Sequence, residues 1–248
     1  MENFGNNFSQ GSSHYHYSSA SMVENELTMK TYVAKVMRRV FGKMSMGILA
    51  TAFISLFIAS NDSLLNLFFS TPWLFWGLII AEFGLVVFLS ARINKLSAGT
   101  ASLLFYLYAV INGVTLTPLF MVYTSESIAT TFFITAGTFG AMAAYGYITR
   151  SDLSKIGSIL FMALIGLIIA SIVNIFLHSS MVAWAISVGG VLIFVGLTAW
   201  DTQKIKRMAE ETVGEENVSK VATIGALELY LDFVNLFIYL LRIFGKRN

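Results

Sequence analysis

The 248-residue chain has no cysteine, only two prolines, and charged side chains at just 12% of positions. Without cysteine there can be no disulfide framework, no thiolate metal site and no cysteine nucleophile. A typical soluble domain carries about 25% charge. A chain with 12% charge, 56% hydrophobic residues and a mean hydropathy of +0.72 has too little charge to coat a soluble globule. Sixteen basic against fourteen acidic residues leave a formal net charge of +2. That balance gives neither a basic patch for nucleic acid nor the acidic excess of a disordered chain. Twenty-one phenylalanines with almost no proline fit long apolar helices. The class indicated is a polytopic membrane protein.

Two regions differ in composition. Residues 1–39 form a polar region that opens on GNNFSQGSSHYHYSSAS, which is too poor in apolar residues to build a core and reads as a largely disordered tail. Within it, residues 23–39 read as a polar juxtamembrane helix. No basic stretch runs directly into an apolar segment with a small-residue cleavage site, so the tail is not a signal peptide. His14 and His16 alone fall short of the three or four ligands of a metal site. Residues 40–248 form the multi-pass domain. Apolar runs near the roughly 20 residues needed to cross a bilayer lie at 44–60, 73–90, 100–122, 128–148, 156–177, 182–202 and 222–244. These runs are continuous rather than alternating, which excludes an outer-membrane barrel.

Basic residues gather on the cytoplasmic side of membrane proteins. With the amino terminus inside, the inner segments hold Lys30, Lys35, Arg38, Arg39 and Lys43, then Arg92 and Lys95, Arg150 and Lys155, and Lys204, Lys206, Arg207 and Lys220. That is thirteen of the sixteen bases, and the outer loops around Asp62, Glu126 and His178 hold none. Arg242, Lys246 and Arg247 lie outside if the last segment crosses fully. A re-entrant last segment with both termini inside is the alternative.

An ionisable side chain within a span costs roughly 2.5–3.5 kcal/mol on insertion scales, which makes each one a functional candidate. Glu82, Asp201, Glu228 and Asp232 qualify, as does Arg242. In the last segment, IGALELYLDFVNLFIYLLRIFG, a rotation of about 100° per residue places Asp232 at about 40°, Asn235 at about −20°, Tyr239 at about 20° and Arg242 at about −40° from Glu228. This helix is therefore apolar nearly all round except for one polar seam, as expected of a helix at the centre of a bundle. The seam could be simple interhelical glue, worth about 0.6 kcal/mol per polar contact. Asn or Ser would serve as glue without the charge, so Asp232 reads as functional, while Glu228 could reach the interface. Asp201, in GLTAWDTQKIK, lies where the sixth apolar run meets a basic loop. It can meet Asp232 if the last helix begins deeper than its apolar run suggests, with residues 221–226 on the cytoplasmic side.

GLTAWDTQKIK followed by ALELYLDFVNLFIYLLRIFG resembles the signature and final helix of the transmembrane Bax inhibitor motif family. AEFGLVVFLSARI resembles the family's second span, and INGVTLTPLFMVYT, with Gly113 and Pro118, its third. The resemblance covers about residues 30–245. It implies an all-α membrane fold of six helices around a central seventh, and calcium leak regulated by pH through two hydrogen-bonded aspartates, which match Asp201 and Asp232. It further implies a latch of the second span to the last, matching Glu82 and Arg242. A family arginine that contacts the aspartate pair matches Arg92 with a one-residue shift in spacing. Glu228, Asn235, Tyr239 and Arg92 are then candidate pore or seam residues.

Calcium prefers six to eight oxygen ligands. Two carboxylates make only a weak, transient site, and a leak needs a site that an ion can leave. Two carboxyls in one low-dielectric site cannot both ionise cheaply, so they are expected to share a proton at low pH and to repel when it leaves. A channel and a calcium/proton antiporter both fit. Calcium would be the transported species, with no cofactor tightly bound. An enzyme is not expected: the aspartates lack the G-x-G-D context of intramembrane aspartyl proteases, no span carries a lysine for a Schiff base, and there is no H-E-x-x-H or phosphate loop. The alternative function is a regulatory protein that binds a membrane protease or another membrane partner. The expected location is a bacterial inner membrane, with the amino terminus cytoplasmic.

Overall fold

The computed structural model describes residues 11–212 and 215–248, and nearly all of them are helical. The helices are α1 (Gly11–Ala59), α2 (Asp62–Phe69), α3 (Pro72–Arg92), α4 (Ala98–Val122), α5 (Ser125–Ile148), α6 (Ser154–Leu177), α7 (Ser180–Glu211) and α8 (Glu215–Phe244). Seven contain a segment long and apolar enough to cross a membrane: Asn25–Ala59 of α1, all of α3 to α7, and Val218–Phe244 of α8. The protein is an integral, multi-pass membrane protein.

Local chemistry sets the boundaries. Asn61, Ser97, Thr124 and Ser179 each accept a hydrogen bond from the backbone N–H three residues on, capping α2, α4, α5 and α7. Pro72 opens α3 at a position where its missing N–H costs nothing. His178 adopts the left-handed conformation, φ 51°, and ends α6.

α8 occupies the centre. In its span 61% of the most apolar stretch is buried, against 6% in α3 and in α6. It packs mainly on α1, α4, α5 and α7, while α3 leans on α4 and α6 on α7. The six surrounding helices thus form an inner four and an outer two. α1 and α5 do not close fully over α8, and a lateral groove of about 570 Å³ remains between them, lined by Phe41, Met44, Ile48, Phe139 and Phe233.

Several elements depart from the expected boundaries. α1 begins at Gly11, inside the segment read as a disordered tail. Residues 12–41 contain neither Gly nor Pro, so nothing breaks a helix running back from the first span. Residues 1–10 lie outside those described, as do the side chains of His14 and His16. α2 is an extra short helix between the first two spans. α7 and α8 both run past their apolar stretches, to Glu211 and back to Glu215. The stretch of about 19 residues between the sixth and seventh apolar runs is therefore mostly helical, because polar residues beyond the bilayer core continue the helices.

The last helix runs from the end of the bundle with the basic loops to the opposite end, with no re-entrant turn. Beyond it, Lys246 accepts from the Thr124 backbone N–H (3.1 Å) and Asn248 donates to the Val122 carbonyl (3.0 Å), which ties the carboxyl terminus to the turn between α4 and α5. That turn is at the end of the bundle opposite the basic loops. Arg242, Lys246 and Arg247 therefore sit apart from the other thirteen bases.

Two glycines mark the closest helix approaches. A Cβ at Gly113 would press on the Thr51 carbonyl oxygen of α1, and one at Gly146 would collide with the Ala199 carbonyl of α7. Backbone cannot move aside as a flexible side chain can, so Gly146→Ala must push α5 away from α7 two residues from Asp201. The expected destabilisation is about 1–3 kcal/mol, typical of overpacking. Thermal unfolding in detergent micelles checks this, and a midpoint equal to the parent's would refute the close approach.

Candidate functional site

The polar seam of α8 faces α7. Asp201 and Asp232 are 8% and 4% exposed, and their carboxyls face each other within hydrogen-bonding reach. Ten residues of α7 follow Asp201, placing it about 15 Å from that helix's basic end. The contacts of Lys204 with Glu228 and of Gly190 with Tyr239 fix the register of the two antiparallel helices, and that register sets Asp232 opposite Asp201.

Next to this pair on the basic side, Lys204 Nζ donates to Glu228 Oε1 at 2.5 Å and lies 3.7 Å from Asp201 Oδ1. The lysine also stands over the Trp200 ring, 5.3 Å from its centroid. No donor reaches Asp232 Oδ2 or Glu228 Oε2, although both are buried. A buried carboxyl oxygen without a donor, facing another carboxyl, is satisfied by a shared proton or by a cation. Among the described residues, no three His, Cys, Asp or Glu side chains are placed together to hold a metal ion.

Toward the opposite end, the Tyr239 ring stacks on Phe194 of α7 at 5.9 Å and fills the space beside Gly190. Asn235 donates to the Leu231 carbonyl within its own helix (2.8 Å). Arg242 stands over the Tyr239 ring at 5.5 Å and borders two clefts, of about 300 and 490 Å³, against α6 and α7. The five seam residues thus line one side of α8 in the order expected.

Glu82 and Arg242 are not brought together. Glu82 Oε1 accepts from Asn112 Nδ2 (3.1 Å) and Thr115 Oγ1 (2.9 Å), both on α4. Counted along the helices, Glu82 lies about 15 Å from the opposite end and Arg242 about 3 Å. Two side chains cannot close that difference in depth while α4 supplies nearer partners. Arg92 is exposed at the end of α3 and does not join the aspartates.

Several polar residues of the interior went unread in the sequence. Tyr230, about 200° round α8 from Glu228, hydrogen-bonds with Thr51 Oγ1 of α1 (2.6 Å) and donates to Asn112 Oδ1 (2.9 Å). A buried chain therefore runs Thr51–Tyr230–Asn112–Glu82, through α1, α8, α4 and α3. Lys43, counted as a topology charge, donates to Ser102 and Thr223, each at 2.6 Å, joining α1, α4 and α8. Lys204 was counted the same way. Its position three residues after Asp201, one helical turn along the same face, was the available signal.

At the loop before α6, Asp152 Oδ1 accepts from the Ser154 backbone N–H (2.9 Å) and from Arg207 of α7 (2.6 Å). The backbone hydrogen bond first, and then the guanidinium, hold this exposed carboxyl well below the usual carboxylate range.

A buried acid pair inside a seven-span bundle defines a helical membrane protein with an ionisable core. Residues 33–248 match the family model described as inhibitor of apoptosis-promoting Bax1. The chain is 50% identical over 232 residues to the inner membrane protein YbhL of Escherichia coli K12, covering 93% of this chain and 97% of that protein. It is 46% identical over 215 residues to an uncharacterized protein of Borreliella burgdorferi, covering 86% and 93%. It is also 35% identical over 227 residues to an uncharacterized membrane protein of Streptococcus pyogenes, covering 91% and 96%. The chain belongs to the Bax inhibitor family.

Tyr230→Phe removes the hydroxyl at the middle of the buried chain and leaves Asn112 Oδ1 without its donor. The expected cost is about 1–3 kcal/mol, that of an unsatisfied buried polar group. Unfolding by SDS in mixed micelles measures it, and an unchanged transition would mean that the hydroxyl contributes nothing.

Proposed function

We propose that this protein is a pH-sensitive calcium leak pathway, working as a channel or as a calcium/proton antiporter, gated by Asp201 and Asp232. The observation that carries the reading is the Asp232 oxygen, buried and without a donor, opposite a second buried carboxyl at the α7–α8 contact. Glue between helices needs no such oxygen, whereas a proton or a cation does.

The sign follows from charge. One proton held between the carboxyls joins α7 to α8, so the contact is present at low pH. As pH rises through the pair's titration the proton leaves, two adjacent anions repel, and the basic ends of both helices are free to separate. The same loss of a proton exposes negative charge to an incoming cation. Calcium asks for six to eight oxygens. A pair of carboxylates supplies few of them, so an ion that enters can leave. Asp152 does not take part in this response: depressed as it is, its link to Arg207 is complete above the ordinary carboxylate range and is lost only in strong acid.

On this reading the protein transports rather than catalyses, with calcium and protons as its partners and no resident cofactor. The name of the Escherichia coli relative supports a bacterial inner membrane as its location. The thirteen bases at one end of the bundle support a cytoplasmic amino terminus.

Calcium flux into proteoliposomes, followed from about pH 5 to about pH 8, where most folds remain stable, tests the proposal. Asp201→Asn and Asp232→Asn are each expected to flatten the pH dependence that the parent displays. Equal titration in parent and both variants would remove the gating role, and a parent that passes no calcium would remove the leak reading itself.

A further inference from the structure

We propose that Lys204 is a tethered cation that occupies the carboxylate site of the leak pathway and that calcium must displace it to pass. The inference rests on the leak reading and adds to it a built-in competitor and a third acid, Glu228.

The geometry starts from helix spacing. Lys204 is three residues after Asp201 on α7 and so projects from the same face, one turn nearer the basic end. Its stem folds back across Trp200, four residues earlier, and the ammonium rests 5.3 Å from that ring's centroid. From there it reaches across to α8, 2.5 Å from Glu228 Oε1, while remaining 3.7 Å from Asp201 Oδ1. One positive charge thus lies between acids of two helices. The lysine side chain is 36% exposed, against 11% for Asp201 and 22% for Glu228. It is the most accessible member of the group and stands between the acids and the basic end.

The pairing is incomplete on the acid side. Glu228 gives one oxygen to Lys204, and its other oxygen, Oε2, is buried without a donor. Asp232 Oδ2, one turn deeper along α8, is also buried without a donor. Lys204 therefore satisfies the outer part of the acid group and leaves the inner part open. An ammonium that has reached only the first of several acids behaves as a surrogate for a cation with more coordination sites. Calcium is such a cation, taking six to eight oxygens where an ammonium has three donors.

With Lys204 seated between Asp201 and Glu228, no three acids among the described residues close on one point. Swinging the lysine off Glu228 frees an oxygen and removes the like charge that repels a divalent ion. The flexible four-carbon stem allows that movement without shifting either helix.

Terbium luminescence on the purified full-length chain in micelles tests the inference without depending on transport. Terbium takes calcium's place at oxygen sites, and Trp200 serves as the antenna. The other three tryptophans, Trp73, Trp76 and Trp184, lie near the starts of α3 and α7, at the opposite end. Lys204→Gln and Lys204→Ala are expected to bind terbium at least about tenfold more tightly than the parent, and calcium should displace it. Lys204→Arg, which keeps the charge, should bind as the parent does. Ethylammonium added to Lys204→Ala should fill the vacated position and restore the weaker binding, with no effect on Lys204→Gln, whose side chain still occupies the space. A lysine that only clamps the helices would give variants of lower stability without any gain in affinity, and that result would overturn the inference. Unchanged affinity in both neutral variants, or no luminescence from any of them, would overturn it as well. Absence of calcium flux in vesicles of the parent protein would count against the leak reading, while the terbium titration separately decides the role of Lys204.

Discussion

An α-helix that carries two carboxylates into a bilayer must turn its polar face toward another helix or toward water, and this constraint organises the whole bundle. α8 directs Glu228, Asp232, Tyr239 and Arg242 at α7, where Lys204, Asp201, Phe194 and Gly190 receive them or border the contact. Once that face is committed, the rest of α8 from Ile224 to Phe244 is apolar except for Tyr230 and is free to be covered by α1, α4 and α5. Centrality thus follows from polarity: lipid would leave the charged seam without partners.

Around that contact the interior divides by depth. Near the basic end, Lys43 with Ser102 and Thr223, and Lys204 with Glu228, join helices through charged hydrogen bonds. The aspartate pair comes next, and at about its level, on another face of α8, Tyr230 links Thr51 and Asn112 to Glu82. The Tyr230 chain has a donor for the Asn112 and Glu82 oxygens that take part in it, as expected of a contact that holds a fold. The acid pair leaves an oxygen unmet. That difference separates a structural network from a candidate working site within one membrane protein, and it explains why Glu82, although an intramembrane acid like Asp232, sits quietly against α4.

Much of this was legible in the sequence, for a physical reason. In a chain that is 56% hydrophobic, an acid at mid-span stands out, and a rotation of 100° per residue placed the seam on one face of α8. The seven spans followed from apolar length alone. Partners were harder to read. Asn112, Thr115 and Thr51 are neutral and ordinary in a membrane helix, so nothing in their spacing announced that they meet Tyr230 and Glu82. Depth was the other obstacle: apolar runs locate the bilayer core but not the ends of helices, and α7 and α8 continue through polar residues to Glu211 and from Glu215. Lys43 and Lys204 were visible as charges, yet the rule that places bases on one side of a membrane says nothing of what each one touches.

The claim on which the functional reading stands is that Asp201 and Asp232 hold a proton between them. Infrared difference spectroscopy of the protein in lipid, titrated from acid to alkaline pH, reports it directly through the carbonyl stretch of a protonated carboxyl. The expected result is a band that disappears as pH rises and is missing from Asp232→Asn. A parent spectrum without such a band at any pH, or a band unchanged in Asp232→Asn, would contradict the shared proton.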